Sequence, residues 1–297
     1  MAKPVTAPVE PGDNLRGAGL MCLCMTFFTT NDTVMKFVAQ DLPLFQSIAL
    51  RGMAVMLCLA LVGWWRGGLS LRVPRQDFGA LAGRTVGEVG STIAYLVALT
   101  HMAIGDLSAL MQSLPLVIML SAALFFGEKL GWRRLLAVGI GFAGVMMILR
   151  PADGTFDIWS LLGLVSVAMI VLRDLATRKL SSGVGSLTIA FYAALSVTLM
   201  GLAVSVGEGW QAPTLGQAGL LILAGVFLTV GYLTAVAVMR VGEISFVAPF
   251  RYVSLVVAIF WGLVIFGEWP DLWTWAGAAL VVGAGIYSIW REGRVRR

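Results

Sequence analysis

Residues 105–144 read GDLSALMQSLPLVIMLSAALFFGEKLGWRRLLAVGIGFAG, and residues 242–285 read GEISFVAPFRYVSLVVAIFWGLVIFGEWPDLWTWAGAALVVGAG. Each stretch opens with glycine, an acidic residue, an aliphatic residue and serine. Each then runs through apolar residues to a Gly-Glu pair, which ends at Glu128 in the first and Glu268 in the second, and continues into a Gly- and Ala-rich segment. The two halves of the chain are therefore predicted to be copies of one structural unit.

Two further correspondences extend this repeat toward the start of each half. The motif NDTVMK, which contains Asp32, matches RDLATR, which contains Asp174. Tyr95 in the first half likewise matches Tyr232 in the second. The repeat therefore covers most of the chain.

The composition is typical of a membrane protein. Of the 297 residues, 59% are hydrophobic and 12% are charged, and the mean hydropathy is +0.89. A soluble domain is about half apolar and about a quarter charged. Because the chain is so apolar, loops beside a bilayer explain the net charge of +5 better than a nucleic-acid-binding surface does. A disordered chain and a secreted disulfide scaffold fit the composition equally poorly.

The chain divides at charged, polar and Gly/Pro-rich breaks into ten apolar segments, and a membrane-spanning helix needs about 20 such residues. They lie near residues 16–38, 44–65, 77–100, 106–126, 132–149, 158–177, 186–206, 216–239, 243–266 and 271–290. With the N-terminus inside, fifteen of the 21 Lys and Arg residues fall in cytoplasmic stretches, two fall outside and four fall within helices. This asymmetry predicts ten spans with both termini cytoplasmic.

Five helices per half is an odd number, so the second half is predicted to cross the membrane in the opposite orientation. Inverted repeats are recurrent in secondary transporters, whose solute sites lie near the bilayer midplane between the halves. We therefore expect an all-α, ten-span transporter in a bacterial-type inner membrane. Its parts are a cytoplasmic tail, a first five-helix repeat, a second five-helix repeat and a basic cytoplasmic tail: 1–15, 16–150, 151–290 and 291–297.

The chain resembles EamA-type members of the drug/metabolite transporter superfamily. The resemblance rests on SLPLVIMLSAALFFGEKLGWRRLLAVGIGFAGV at 113–145, on VAPFRYVSLVVAIFWGLVIFGEWPDLWTWAGAALVVGAG at 247–285, and on the twofold repeat of five helices. It implies a central cavity lined by helices 1–4 and 6–9, with helices 5 and 10 at the periphery. It also implies a solute drawn from amino acids, nucleotide-linked metabolites and organic acids.

Charged residues within the apolar segments are expected to face a cavity or a partner of opposite charge, because an ionised group at bilayer depth costs about 3 kcal/mol. On the third segment, Arg84, Glu88 and Tyr95 recur at helical spacing and form one polar face. We expect this face to line the solute path, with Glu88 as the candidate proton acceptor. The alternative is an Arg84–Glu88 pair buried for architecture. The glycines beside this face, Gly87 among them, predict close packing against another helix.

The fourth and ninth segments carry the other candidate solute contacts. Arg251 and Tyr252 follow Pro249, and a guanidinium beside disturbed backbone is suited to bind a carboxylate. The alternative is an arginine that satisfies the carbonyls freed by the proline. Gln112 lies beside another proline and is a candidate for the same reason. Trp261, in mid-span, either closes the cavity or only packs.

Charged clusters near two helix ends are candidate gates. Asp32 and Lys36 lie near the outer end of the first segment, and Arg173 and Asp174 near the inner end of the sixth. Ion pairs at these places would close the outer and inner gates in turn. Arg51, about two turns into the second segment, belongs either to the outer cluster or to the cavity. The alternative is that these charges extend toward the headgroups.

Glu128 and Glu268 are expected to be structural. Each lies in a short turn before the next helix, where a carboxylate accepts hydrogen bonds from free N–H groups at the helix start.

The excess of arginine among the intramembrane groups favours a solute with a carboxylate, such as an amino acid or organic acid, and we expect its export by alternating access. The alternative is a proton-coupled multidrug or organic-cation exporter. With one histidine and no phosphate-binding loop, neither an enzyme nor an ATP-driven pump is expected. We expect no cofactor, metal or nucleic acid. The expected partners are the small-molecule solute and the bilayer, for a monomer or weak homodimer.

Overall fold

The structure, a computed structural model, describes residues 11–65, 71–126, 132–149, 157–181, 183–238 and 248–295. Within these ranges the chain is almost entirely helical. In order, the helices are α1 (Pro11–Val38), α2 (Leu44–Trp65), α3 (Phe78–His101), α4 (Ile104–Met111), α5 (Leu114–Phe126), α6 (Trp132–Leu149), α7 (Ile158–Arg178), α8 (Ser186–Ser205), α9 (Leu215–Val238), α10 (Val253–Trp261) and α11 (Leu272–Val295). Helical structure lies in each of the ten predicted segments, so the expected all-α class is confirmed.

Two of the ten segments are interrupted rather than continuous. The fourth contains α4 and α5, which a turn at Gln112 separates. In the ninth, a 3-10 turn at Ala248–Tyr252 precedes α10 and a π turn at Gly262–Phe266 follows it. Pro115 in the first turn of α5 and Pro249 in the 3-10 turn account for the two breaks, because proline has no N–H to donate to a preceding turn.

Four described helices are long and apolar enough to cross a bilayer by length and composition alone. They are Leu44–Trp65, Ile158–Thr177, Leu187–Ser205 and Leu215–Ala235. Large apolar side chains cover the outside of the bundle, among them Leu57, Leu61, Trp64, Leu124, Leu215 and Ile222. A surface of this kind is suited to contact with lipid.

The helices pack mainly across the two halves of the chain. The most extensive contacts join α3 to α7, α1 to α9, α2 to α8 and α6 to α11, and α4 contacts α10. Exchanging each first-half helix for its second-half counterpart turns the α1–α9 contact into the α7–α3 contact and leaves the other three pairs unchanged. The contact pattern is therefore the same for both halves, as an internal repeat requires.

The contact between α3 and α7 depends on Gly87. A Cβ atom at this position would lie 2.6 Å from the backbone nitrogen of Arg173 and 2.8 Å from the carbonyl oxygen of Met169. Both are backbone atoms, so a side-chain rotation cannot relieve the overlap. The predicted close packing of the glycine face is confirmed, and α7 is the helix it packs against.

Gly87→Ala should lower the thermal unfolding midpoint of the protein in detergent, because the new methyl group must push α7 away from α3. Gly79→Ala is the matched control. It lies in the same helix, a Cβ there meets nothing within 4 Å, and alanine is about 1 kcal/mol better than glycine within a helix. We expect that control to be neutral or stabilising. Equal midpoints for the two variants would contradict the close contact.

Candidate functional site

A buried carboxylate on α3 lies where the two halves meet. Glu88 Oε2 is 3.3 Å from Arg84 Nη1, one turn away on the same helix. Glu88 Oε1 is 3.9 Å from Arg173 Nη1 of α7 and accepts a hydrogen bond of 3.0 Å from the Tyr232 hydroxyl of α9. The expected Arg84–Glu88 pair therefore exists, but it is part of a larger network that also ties α7 and α9 to α3.

Residues predicted to form an inner gate belong to this same network. Arg173 Nε donates to Asp174 Oδ1 at 2.9 Å, while its Nη1 is the atom that lies near Glu88. Arg84 Nη1 donates to the Thr177 hydroxyl, one turn along α7, at 3.4 Å. The predicted gate and the predicted polar face of α3 are thus one site, because the close approach at Gly87 brings α7 within reach of α3.

A second group of polar side chains adjoins this network from α1 and α2. Arg51 Nη1 donates to Asn31 Oδ1 at 3.4 Å, and Asn31 Nδ2 donates to Asp32 Oδ1 at 2.9 Å. The Tyr95 side chain interacts with the Asp32 carboxylate from α3. Arg51 interacts electrostatically with Asp32 and, beyond it, with Glu88. Arg51 therefore lies beside Asp32 of the predicted outer cluster, and its assignment to that cluster or to the cavity stays a prediction.

The formal charges of these groups balance, and Arg251, the fourth arginine of the expected positive excess, is not one of them. We call the six charged side chains the central cluster; three are arginines and three are carboxylates. They are Arg51, Arg84, Arg173, Asp32, Glu88 and Asp174. Asp32, which the sequence placed beside Lys36, interacts with Arg51 in the structure.

Lys36 has a different partner from the one expected. Its Nζ lies 2.6 Å from Glu268 Oε1 and donates to the Met102 carbonyl oxygen at 2.7 Å. A side chain near a helix end can extend away from the middle of the bundle, and this one does so, although Asp32 is only one turn away. The expected Asp32–Lys36 cluster is therefore not a pair, and the outer contact of Lys36 is with Glu268.

The structural assignment of Glu268 also needs correction. Its Oε2 accepts from the backbone N–H of Ile104 at 2.9 Å, so the carboxylate binds the start of α4 and not the start of the helix that follows it. The side chain at the start of α11 is Asp271, whose Oδ1 accepts from the N–H of Thr274 at 2.8 Å. Glu128, the corresponding residue of the first half, lies outside the described residues.

The two interrupted helices meet through a pair of polar side chains. Gln112 Nε2 donates to the Ser254 hydroxyl at 2.8 Å across 142 residues of sequence. The repeat offset is 137 at Gly105 and Gly242 and 140 at Glu128 and Glu268, so Ser254 lies a few residues beyond the position that corresponds to Gln112. Arg251 lies in the 3-10 turn, three residues before Ser254, and is partly exposed.

The other two candidates on this segment pack against neighbouring helices. A Cβ atom at Gly285 of α11 would lie on the Tyr252 hydroxyl, so this ring fills the space over that glycine. The Tyr252 hydroxyl is buried and has no hydrogen-bond partner among the described residues. Trp261 Nε1 donates to the Thr30 hydroxyl of α1 at 3.1 Å, which ties α10 to α1. These positions favour packing over solute contact for both aromatic residues.

Several members of the site were not identified from the sequence. Tyr232 could have been found, since the repeat aligns it with Tyr95, whereas the register of the repeat does not point to Ser254. Asn31 and Thr177 carry no signal beyond their polarity. Among the described residues, no three His, Cys, Asp or Glu side chains gather as metal ligands would.

A bundle with an apolar exterior and a charged interior defines the class as a multi-pass membrane protein. A family model described as the EamA-like transporter family matches residues 15–150 and again residues 157–290. The chain therefore belongs to this family and is a transporter of small molecules rather than an enzyme. The resemblance noted in the sequence is confirmed.

Curated relatives are named as transporters of different solutes. The chain is 27% identical to the pseudopaline exporter CntI of Pseudomonas aeruginosa, over 92% of this chain and 96% of the relative. It is 24% identical to an S-adenosylmethionine uptake transporter of Rickettsia felis, over 94% of each protein. It is 26% identical to a riboflavin transporter of Brucella anthropi, over 75% of this chain and 80% of the relative.

The fold is shared with solved structures, and we compare the chain with one crystal structure among them. It superposes with a TM-score of 0.68 at 19% identity and covers 95% of this chain and 99% of the other. At this identity the likeness concerns the fold alone.

Glu88→Gln should destabilise the protein by about 3–5 kcal/mol, the usual cost of removing one partner from a buried ion pair. Without the carboxylate, Arg84 and Arg173 lie in the bundle with only Asp174 to balance them. The double variant Arg84→Gln/Glu88→Gln restores the balance and should recover part of that loss. Unfolding in detergent would measure the two single variants, Glu88→Gln and Arg84→Gln, and the double variant. A double variant that loses the sum of the two single losses would contradict the network.

Proposed function

We propose that the protein is a secondary transporter that exports a small polar metabolite with a carboxylate, such as an amino acid or organic acid, by alternating access. The observation that carries the proposal is the meeting of the two interrupted helices at the contact between the halves. Transporter solute sites are commonly built where discontinuous helices meet near the midplane. Here Gln112 and Ser254 join the two breaks, with Arg251 in the adjacent turn.

Arg251 is the residue to which we assign the solute carboxylate. A guanidinium presents two parallel N–H groups to a carboxylate, which favours a bidentate contact. Arg84 and Arg173 are already engaged with carboxylates of the chain. No described carboxylate lies within ion-pairing distance of Arg251, and the residue is partly exposed. It is thus able to take an anionic group without first breaking an ion pair of the central cluster.

The membrane arrangement is also part of the proposal. Ten spans in two inverted five-helix repeats, over residues 16–150 and 151–290, would leave both termini cytoplasmic in a bacterial-type inner membrane. The two family matches and the exchange of helix contacts between the halves support this division. We propose a monomer or weak homodimer, because neither the sequence nor the described fold requires a second subunit.

An organic-cation exporter is the competing function, and one contact favours it. Glu88 accepts from Tyr232, and the ring of Phe28 packs edge-on against Tyr232 at 5.7 Å, so an acid and aromatic rings adjoin each other. A cation at Glu88 would have to displace Arg84 and Arg173. The names of the relatives include both an exporter and an uptake transporter, so the direction is a separate question for the flux measurement.

Arg251→Gln should reduce carboxylate flux in proteoliposomes by roughly ten- to a hundredfold, since a hydrogen bond to a charged group contributes about 1.5–3 kcal/mol. Arg251→Lys keeps the charge but not the paired N–H groups, so it should retain part of the flux. Labelled amino acids, di- and tricarboxylates and quaternary amines would be compared, loaded on either side. Arg72→Gln, at an exposed position, is the matched control. Flux of amines alone, lost in Glu88→Gln and kept in Arg251→Gln, would refute the carboxylate assignment.

Single cysteines should report the orientation, in a variant from which Cys22, Cys24 and Cys58 have been removed. A membrane-impermeant maleimide added to intact cells should label Val206→Cys, at an exposed turn after α8, and should leave Lys179→Cys after α7 unlabelled. Lysed cells should label at both positions. The opposite pattern in intact cells would reverse the proposed orientation.

A further inference from the structure

The Glu268 carboxylate occupies a cradle that two donors from other parts of the chain build. Lys36 Nζ from α1 lies 2.6 Å from one carboxylate oxygen, and the backbone N–H of Ile104 at the start of α4 donates to the other at 2.9 Å. An ammonium ion and a helix N-terminus both favour an anion. We call these three residues the latch, because the carboxylate joins the end of α1, the start of α4 and the turn after α10.

The backbone around Glu268 explains how this side chain reaches the cradle. Gly267 has φ +67°, a left-handed conformation that ends the π turn after α10 and that glycine adopts without strain. The N–H of Glu268 then donates to the Gly262 carbonyl oxygen at 2.9 Å. This reversal turns the chain back over α10 and sends the Glu268 side chain across to α4 and α1.

A polar cavity adjoins the latch. Its volume is about 370 Å³, and Lys36, Gln40, Thr100, His101, Phe266 and Glu268 are among its lining residues. That volume lies at the lower end of the range of about 300–1,000 Å³ for small-molecule sites. Lys36 is 8% exposed and its ammonium lies 4.8 Å from the centre of the Phe266 ring, whereas Glu268 is 27% exposed. The lysine is therefore held firmly, and the carboxylate is the partner that can leave.

We propose that this cavity is an outer subsite for the carboxylate of the solute, which opens the latch by replacing Glu268 on Lys36. The inference rests on the proposed function for its carboxylate-bearing solute and its orientation. The exchange substitutes one carboxylate for another, so the buried ammonium keeps an anionic partner throughout. Once Glu268 leaves Ile104, the same movement frees the start of α4 from the turn after α10. Binding of the solute carboxylate and opening of the outer end are then one event.

A cysteine at Ile104 reports whether the latch is closed. Ile104 is 1% exposed, and its side chain packs against Gly262 at the base of the turn that bears Glu268. Cysteine keeps the backbone N–H that the latch uses. In the cysteine-free variant, labelling of Ile104→Cys by an external impermeant maleimide should be slow while the latch is closed and fast when α4 and the turn separate.

Glu268→Ala should raise this labelling rate about tenfold. That change corresponds to a loss of about 1.4 kcal/mol in the free energy that favours the closed latch over the open one. Sodium acetate should leave this fast rate unchanged, as should sodium chloride at equal ionic strength, because a free carboxylate on Lys36 does not tie the turn after α10 to α4. Lys36→Ala/Glu268→Ala should be fast with or without acetate. Glu208→Ala, which removes another carboxylate that accepts from a backbone N–H, is the matched control and should label like the parent. Monodisperse elution of each variant verifies folding.

The subsite itself is tested on the parent with Glu268 intact. The transported carboxylate should accelerate labelling of Ile104→Cys, and quaternary amines should not. A Glu268→Ala rate equal to the parent rate, acetate that slows labelling of the Glu268→Ala variant, or a transported carboxylate that leaves the parent rate unchanged would each overturn the inference. The flux panel separates the two proposals. Carboxylate flux without a labelling response refutes the subsite alone, and absence of carboxylate flux refutes the proposed function.

Discussion

A carboxylate within an apolar helix bundle must be surrounded by donors, because an ion left unpaired there costs several kcal/mol. Glu88 meets this requirement with Arg84 from its own helix, Arg173 from α7 and Tyr232 from α9. Satisfying one carboxylate therefore fixes three helices that come from both halves of the chain. Gly87 makes this arrangement possible. Arg173 can reach Glu88 only if α7 lies almost against α3, and a side chain at position 87 would keep the two helices apart.

Features of the fold that depend on spacing along the chain could be predicted from the sequence. Which side chains contact each other between helices could not. Apolar runs, prolines and helical spacing indicate the segments, their interruptions and the polar face of α3, because each depends on residues close in sequence. Lys36 shows the limit: Asp32 is one turn away, yet the ammonium binds Glu268 far along the chain. Tyr252 directly follows Arg251, yet its ring goes to Gly285 of another helix. Such choices depend on how the helices are placed in three dimensions, which spacing along one helix does not specify.

The two halves share their helix contacts but not their charges. Asp32 and Tyr95 have counterparts in Asp174 and Tyr232, whereas Glu88 has no charged residue at the corresponding place. The same holds for Arg51 and Arg251. A symmetric scaffold is suited to two exchangeable arrangements, as alternating access needs. The side chains that differ between the halves then give the solute different surroundings in the two arrangements. A fold built by repetition can therefore still favour transport in one direction.

The balance of the central cluster has an electrical consequence. A charge that crosses the membrane field exchanges about 2.3 kcal/mol for every 100 mV. Three arginines and three carboxylates that move together exchange almost none, and neither does the Lys36–Glu268 pair. Of the four intramembrane arginines, Arg251 is the one outside this cluster, so in the proposed carrier it is the charge on which the membrane potential would act. A bound monocarboxylate would neutralise the charge of Arg251. The membrane potential would then affect the return of the empty carrier and would scarcely affect the passage of the loaded carrier.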